Sequence, residues 1–428
     1  MNSTNYSEVN REFAKKYSGS TKMDKLELCL AVLTAFLAPI NAARLNGIYI
    51  TFADISALLC LVIIFANHGV PRHIFGALTK VYFLGIFVFC GSILLSSIVN
   101  GDGVRGLIGV AQYILAYIIF PLVLIRRTHK EAWIIAFAFL AAIVIICLHG
   151  IIIITFDMED AGARFISYSG RLRGLVEREN ELGGLLAMSV PLVIVLIRTK
   201  WFPFYFGWFI LLSILYTIML TGSNTGMACF VIAFIGALLF SDNLLLNAIY
   251  LSSVAIVLVL VVAIFGTTFL PDIFEDRVLT AFRTGDIEHL GTLSGRLELV
   301  AESIHLAEPY LFIGMGFDQL RELSVHGAPV HNVFLLVLNE GGVFALFGFL
   351  IILIAIFTQA SLVMLHTRSL NAGAFLMVTV IVFTIVISGL PHVYARFLVL
   401  PWIVAVGLTT TIPIFRKPNT IQSRNALG

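Results

Sequence analysis

The stretch His331-Asn332-Val333-Phe334-Leu335-Leu336-Val337-Leu338-Asn339-Glu340-Gly341-Gly342 marks the point where a long polar segment runs back into an apolar one. From Pro271 to Val330 the chain is dense in charge and holds His289, His305 and His326, with His331 at its end. Almost everything around it is apolar. A chain places so polar a segment between two hydrocarbon-soluble runs when that segment stands in water. This contrast makes the fold class an all-α polytopic membrane protein.

Composition agrees. Of 428 residues, 59% are hydrophobic and 12% charged, against about 25% charged in soluble domains. Mean hydropathy is +0.99. The net charge of +2 carries no information about nucleic acid, because the charges are distributed by topology. No nucleic-acid motif is present, so that partner class is excluded. All five cysteines (Cys29, Cys60, Cys90, Cys147, Cys229) fall in apolar runs, which reads as buried thiols with no disulfide framework.

The apolar runs predict about twelve transmembrane helices, near 26–43, 47–66, 78–98, 104–125, 131–156, 182–199, 203–220, 223–240, 244–269, 332–365 (broken), 371–388 and 397–414. The polar residues before the first run make a long n-region and further spans follow at once, so an uncleaved span is expected and not a signal peptide. The chain reads as one domain, 1–428, with two large outer loops at 157–181 and 271–330. Together, 157–181 and 271–330 hold 24 of the 52 charged residues, a concentration that lipid contact cannot explain.

Twelve spans put both termini on one side. All eight lysines fall on that side, which the positive-inside rule makes the cytoplasm. Eleven arginines lie opposite, at positions 44, 105, 164, 171, 173, 178, 277, 283, 296, 321 and 396, with no lysine among them. Arginine offers a permanently charged fork of donors matched to phosphate and carboxylate, so an anionic ligand on that face is one reading. Ordinary loop charge is the other. Within the long loop, Ser294 to Ile304 reads as a short amphipathic helix with Ser294 as N-cap, and Pro309 follows it.

Several residues can carry chemistry. His331 sits at the re-entry point and is either an interface anchor or a general base titrating near neutrality. Asn332 orients a hydroxyl or caps the next helix. Glu340 lies about 180° round a continuous helix from His331, which argues against direct partnership, and Gly341-Gly342 is expected to interrupt that helix. Asp54, about seven residues into the second span from the outer side, is either an intramembrane acid and so a functional candidate by default, or an acid that simply reaches the outer interface. The loop histidines match no zinc spacing, and there is no G-x-S-x-G, H-E-x-x-H or P-loop sequence. No metal or cofactor is expected.

Four places resemble the O-antigen ligase and polymerase family of bacterial envelope proteins. His331-Asn332, nine residues and Gly342 resemble its ligase signature, with Ala345 a small departure at the last position. Ser294-Gly295-Arg296, Pro309 and Gly314-x-Gly316 resemble its long-loop pattern, and Arg171-x-x-Gly174 with Asn180 its earlier outer-loop pattern. Thr221-Gly222-Ser223-Asn224-Thr225-Gly226 stands where the family shows Ser-Arg and a small residue, with Asn224 in place of that arginine.

The resemblance implies a GT-C-like bundle of the bacterial inner membrane with a periplasmic site. It implies metal-independent, inverting transfer of a glycan from an undecaprenyl-diphosphate-linked donor, onto lipid A–core in a ligase or onto another lipid-linked glycan in a polymerase. Arg171 and Arg296, then Arg173 and Arg178, would bind the diphosphate, His331 would act as base and Asn332 would orient the acceptor. Membrane lipid would surround the site. A transporter also fits twelve spans, but the halves show no symmetry and no paired broken helices.

Overall fold

The computed structural model describes residues 21–42, 44–45, 50–69, 73–156, 162–239, 271–275, 293–367, 370–391 and 393–410. The expected ninth span at 244–269 lies outside the described residues, as do Arg277, Arg283 and His289. The described chain is mostly helical. Its long helices are α1 (Lys22–Leu37), α2 (Phe52–His68), α3 (Thr79–Asn100), α4 (Gly103–Leu124), α5 (His129–Thr155), α6 (Glu179–Arg198), α7 (Phe204–Thr221), α8 (Asn224–Leu239), α9 (Leu293–Ala307), α10 (Val333–Thr367), α11 (Leu370–Ile387) and α12 (Arg396–Thr410). Six of them, α3 to α7 and α10, are long and apolar enough to cross a membrane. A two-residue pairing joins Arg44–Leu45 to Ile50–Thr51.

Two helix starts differ from expectation, for one reason. Thr21 and Asp24 form a capping box, as do Thr51 and Asp54, and each satisfies amide groups that have no partner inside the helix. So α1 begins before 26 and α2 begins at Phe52, after 47. Asp54 therefore stands in the first turn of its helix. It is also not alone: Arg396 reaches it through two hydrogen bonds, Nε to Oδ1 at 2.7 Å and Nη2 to Oδ2 at 3.0 Å. α9 begins no later than Leu293, so Ser294 lies inside it and is not its cap. Of the cysteines, Cys29 is exposed and the other four are buried.

α6 and α12 are enclosed by the other helices and form the centre, with Leu182 to Leu196 and Phe397 to Leu408 buried along their lengths. α3 packs closely along α10. At their crossing Gly85 faces Gly348, where an added Cβ at Gly85 would meet the Gly348 carbonyl oxygen at 2.9 Å. Small residues let two helix backbones approach when burial from water supplies no drive.

The expected break in α10 is at Gly342, whose φ is 72°. The break frees carbonyls that the loop segment 311–316 takes up. Met315 N–H donates to Asn339 O at 2.8 Å, Gly316 N–H to Glu340 O at 2.9 Å, and Val343 N–H to Leu311 O at 2.8 Å. Ser96 Oγ also donates to Glu340 O, at 2.6 Å. Gly314 must be glycine there, since its φ is 84° and a Cβ would strike the Glu340 carbonyl. The Glu340 carboxylate accepts from Asp318 N–H at 2.9 Å. Glu340 thus holds the loop to the bundle, in keeping with the phase argument against partnership with His331.

The helices alternate in direction, so the bundle has two ends. Arg127 binds Glu27 at the end where α1 and α5 start. Arg396 binds Asp54 at the other, where α2, α6, α10 and α12 start.

Candidate functional site

At the second end the chain between α5 and α6 folds into a compact turn. Ile166 bridges to Leu172, Arg173 N–H donates to Phe165 O at 2.7 Å, and Leu172 N–H donates to Leu220 O at 3.0 Å on α7. These bonds fix the arginines. Arg171 Nε donates to Thr221 O at 2.7 Å and its Nη2 to Asn180 Oδ1 at 2.8 Å. Arg173 Nε donates to Glu179 Oε1 at 3.1 Å. Glu177 takes a left-handed conformation (φ 84°) that turns the chain into α6.

His331 arrives from the far loop, two residues before α10. Asn332 Oδ1 accepts from Leu335 N–H at 3.1 Å, so this residue caps α10, one of the two alternatives open from sequence. The cap sets the entry angle of the chain and leaves His331 facing the turn before α6.

Between them is a polar cavity of about 350 Å³ lined by His331, Arg173, Arg178, Asn180 and the carboxylates Glu177, Glu179 and Glu181, with Leu390 and Pro391 as one wall. Arg178 stands 3.9 Å from Glu181 and is more than half exposed. Among the described residues His331 Nδ1 is buried with no hydrogen-bond partner. Burial holds the His331 pKa below the ordinary imidazole value, and the positive charges of Arg296 and Arg178 lower it further. The ring is therefore neutral at pH 7, the form that can accept a proton.

The structure thus brings His331, Arg173 and Arg178 onto one cavity, with Arg296 acting on His331 through its charge. Arg171 stands behind Asn180 and does not line the cavity. The three glutamates were not singled out from sequence, although Glu177-Arg178-Glu179-Asn180-Glu181 alternates charge at a helix start. Arg173 is matched by Glu179, so its charge is partly met within the protein. Four other outer arginines are engaged in structure: Arg105 with Glu322, Arg164 with the Ala42 carbonyl, Arg321 with Asp318 and Arg396 with Asp54. Arg105, Arg164 and Arg321 fit ordinary loop charge, whereas Arg396 is buried at the start of α12. At the Asn224 position, Ser223 Oγ accepts from Gly226 N–H at 3.1 Å and caps α8.

A search of curated proteins returned none that matches the chain. Residues 208–350, about a third of the chain, match the family model described as O-antigen ligase. This stretch contains Arg296, His331 and the broken start of α10, and over it the chain is similar to the O-antigen ligase family.

Proposed function

We propose that this protein is a ligase-type glycan transferase of the bacterial inner membrane, with its site at the periplasmic face and both termini in the cytoplasm. The observation that carries the reading is the shared cavity: a neutral, half-buried histidine faces an arginine-bearing turn that is remote in sequence. The lysine distribution supports the orientation.

In the proposed reaction an acceptor hydroxyl attacks the anomeric carbon of a glycan held on undecaprenyl diphosphate. His331 takes the hydroxyl proton as the new C–O bond forms, a role typically contributing about 10²–10⁴-fold. The bond to the lipid diphosphate breaks with its electron pair leaving on the phosphate oxygen, and the anomeric centre inverts. Arg296, Arg178 and Arg171 would offset that developing charge, being permanently cationic. Arg171 needs a small shift past Asn180 to take part, and Arg173 exchanges Glu179 for phosphate if it does. Asn332, with Oδ1 in the helix cap, would offer only its amide N–H to the acceptor. Because the arginines supply the charge, the scheme needs no metal and no cofactor.

An apolar groove of about 470 Å³ begins at Phe334, beside His331, and runs between α10 and α11 past Leu353 and Phe357. It supports the reading by offering a polyprenyl chain an apolar surface that starts three residues from His331. The resemblance of His331-Asn332 to the ligase signature favours lipid A–core as the acceptor, and transfer to a second lipid-linked glycan, which shares donor and chemistry, is the alternative.

Purified protein with lipid-linked glycan and lipid A–core is expected to form ligated product in the presence of chelator. A deletion strain is expected to accumulate unattached lipid-linked polymer. Single repeat units attached to core would show a polymerase instead, and no transfer to either acceptor would overturn the proposal.

A further inference from the structure

The opposite end of the bundle carries a cluster that glycan transfer does not use. Asp24 and Glu27 on α1 and His68 at the end of α2 each bring one ligand atom within 4.8 Å of the others. His68 Nε2 is 3.2 Å from Asp24 Oδ1 and 3.4 Å from Glu27 Oε2. The Asn67 amide nitrogen is 2.7 Å from Asp24 Oδ1 and 3.0 Å from His68 Nε2.

The local structure explains why these atoms converge. In the capping box Asp24 Oδ2 accepts from Thr21 N–H at 2.8 Å and Thr21 Oγ1 at 2.9 Å, which turns Oδ1 toward α2. Glu27 follows at i+3, on the same face. It is 4% exposed. Arg127 Nη1 donates to its Oε1, and among the described residues Oε2 accepts no hydrogen bond. A carboxylate oxygen buried this deeply is costly unless a donor or a cation meets it.

We propose that Asp24, Glu27 and His68 form a binding site for one first-row divalent cation of the Mn²⁺ and Zn²⁺ class, tying α1 to α2. Donor atoms about 2.1 Å from a common ion stand about 3.0–3.4 Å apart across octahedral or tetrahedral angles, and the separations of His68 Nε2 from Asp24 Oδ1 and Glu27 Oε2, 3.2 and 3.4 Å, fall there. An imidazole with two carboxylates suits Mn²⁺ or Zn²⁺ better than Ca²⁺ or Mg²⁺, which take all-oxygen shells. A half-turn of the Asn67 amide presents its oxygen as a fourth ligand. Arg127 offsets part of the Glu27 charge, so the ion is exchangeable and a chelator removes it. The site braces the first helical hairpin and is independent of the transfer reaction at His331.

The test uses the full chain in detergent, stripped with EDTA and freed of chelator, then titrated with MnCl₂ while electron paramagnetic resonance follows free Mn²⁺. One Mn²⁺ per chain is expected to bind, to be displaced by Zn²⁺ and to raise Tm. His68→Gln is expected to lose that binding while remaining monodisperse, and His68→Asp, which keeps a ligand, to retain Mn²⁺ and lose its displacement by Zn²⁺. A lost brace without an ion would leave all three proteins equal in Mn²⁺ binding. Wild-type protein that binds no more Mn²⁺ or Zn²⁺ than His68→Gln overturns the proposal, and the cluster is then a polar contact of His68 with two carboxylates that holds no ion.

Discussion

Replacing Arg396 with methionine keeps the length of the side chain and removes its charge, leaving Asp54 with only its Thr51 partners. The perturbed pair is fully enclosed, with side-chain exposures of 6% for Arg396 and 0% for Asp54. Two charge-assisted hydrogen bonds are lost, each contributing about 1.5–3 kcal/mol. An independent estimate for leaving one member of a buried pair uncompensated is about 3–5 kcal/mol. The ranges agree, and Arg396→Met is expected to lose roughly 3–5 kcal/mol. The double variant Asp54→Leu with Arg396→Met removes both charges and is expected to recover most of it, because the desolvation cost disappears along with the attraction. Thermal unfolding of detergent-purified protein, scored by monodispersity after heating, orders the wild type, the two singles and the double. If Arg396→Met melts with the wild type, or the double is as weak as the singles, the reasoning fails. Transfer by the double reports on function: α12 follows Leu390 and Pro391, which wall the cavity, and retained activity would show that Asp54 exchanges no proton with substrate.

His331→Ala is expected to lower the transfer rate about 10²–10⁴-fold with the fold kept, and full activity would remove His331 as base. The pH profile of kcat/KM should fall on the acid side around a value below the ordinary imidazole pKa, since burial and two arginines oppose protonation. In Arg296→Gln one opposing charge is gone, protonation is easier, and the acid limb should move to higher pH; a limb that stays in place refutes the coupling. Gly314→Ala puts a Cβ 2.6 Å from the Glu340 carbonyl carbon at a φ of 84°. It should cost about 1–3 kcal/mol of local stability, read as faster hydrogen exchange at residues 311–318, and unchanged exchange would contradict the docking described.

What was legible in the sequence was what depends on local pattern. The helical class followed from hydropathy, the break in α10 from Gly341-Gly342, and the argument against a direct partnership of Glu340 with His331 from helical phase. The starts of α1 and α2 were also written locally, in Thr21-x-x-Asp24 and Thr51-x-x-Asp54, a capping pattern that the hydropathy reading overran. The partner of Asp54 was not legible, because Arg396 lies at the far end of the chain and only packing joins them. Nor was the division of arginines into those bound within the protein and those facing the cavity, which depends on which carboxylate each one meets.

By itself the sequence determined that this is a mostly helical, multi-pass membrane protein, because only helices satisfy their backbone within hydrocarbon, and it pointed to two charge-rich segments, 157–181 and 271–330, as the place to look for its chemistry. It also nominated His331, Arg171 and Arg296. Only the tertiary structure decided that the start of α10 faces the turn before α6, that three glutamates share that cavity, and that Arg171 waits behind Asn180. Such relations depend on distances between residues remote in the chain, which helix packing sets and no local spacing encodes.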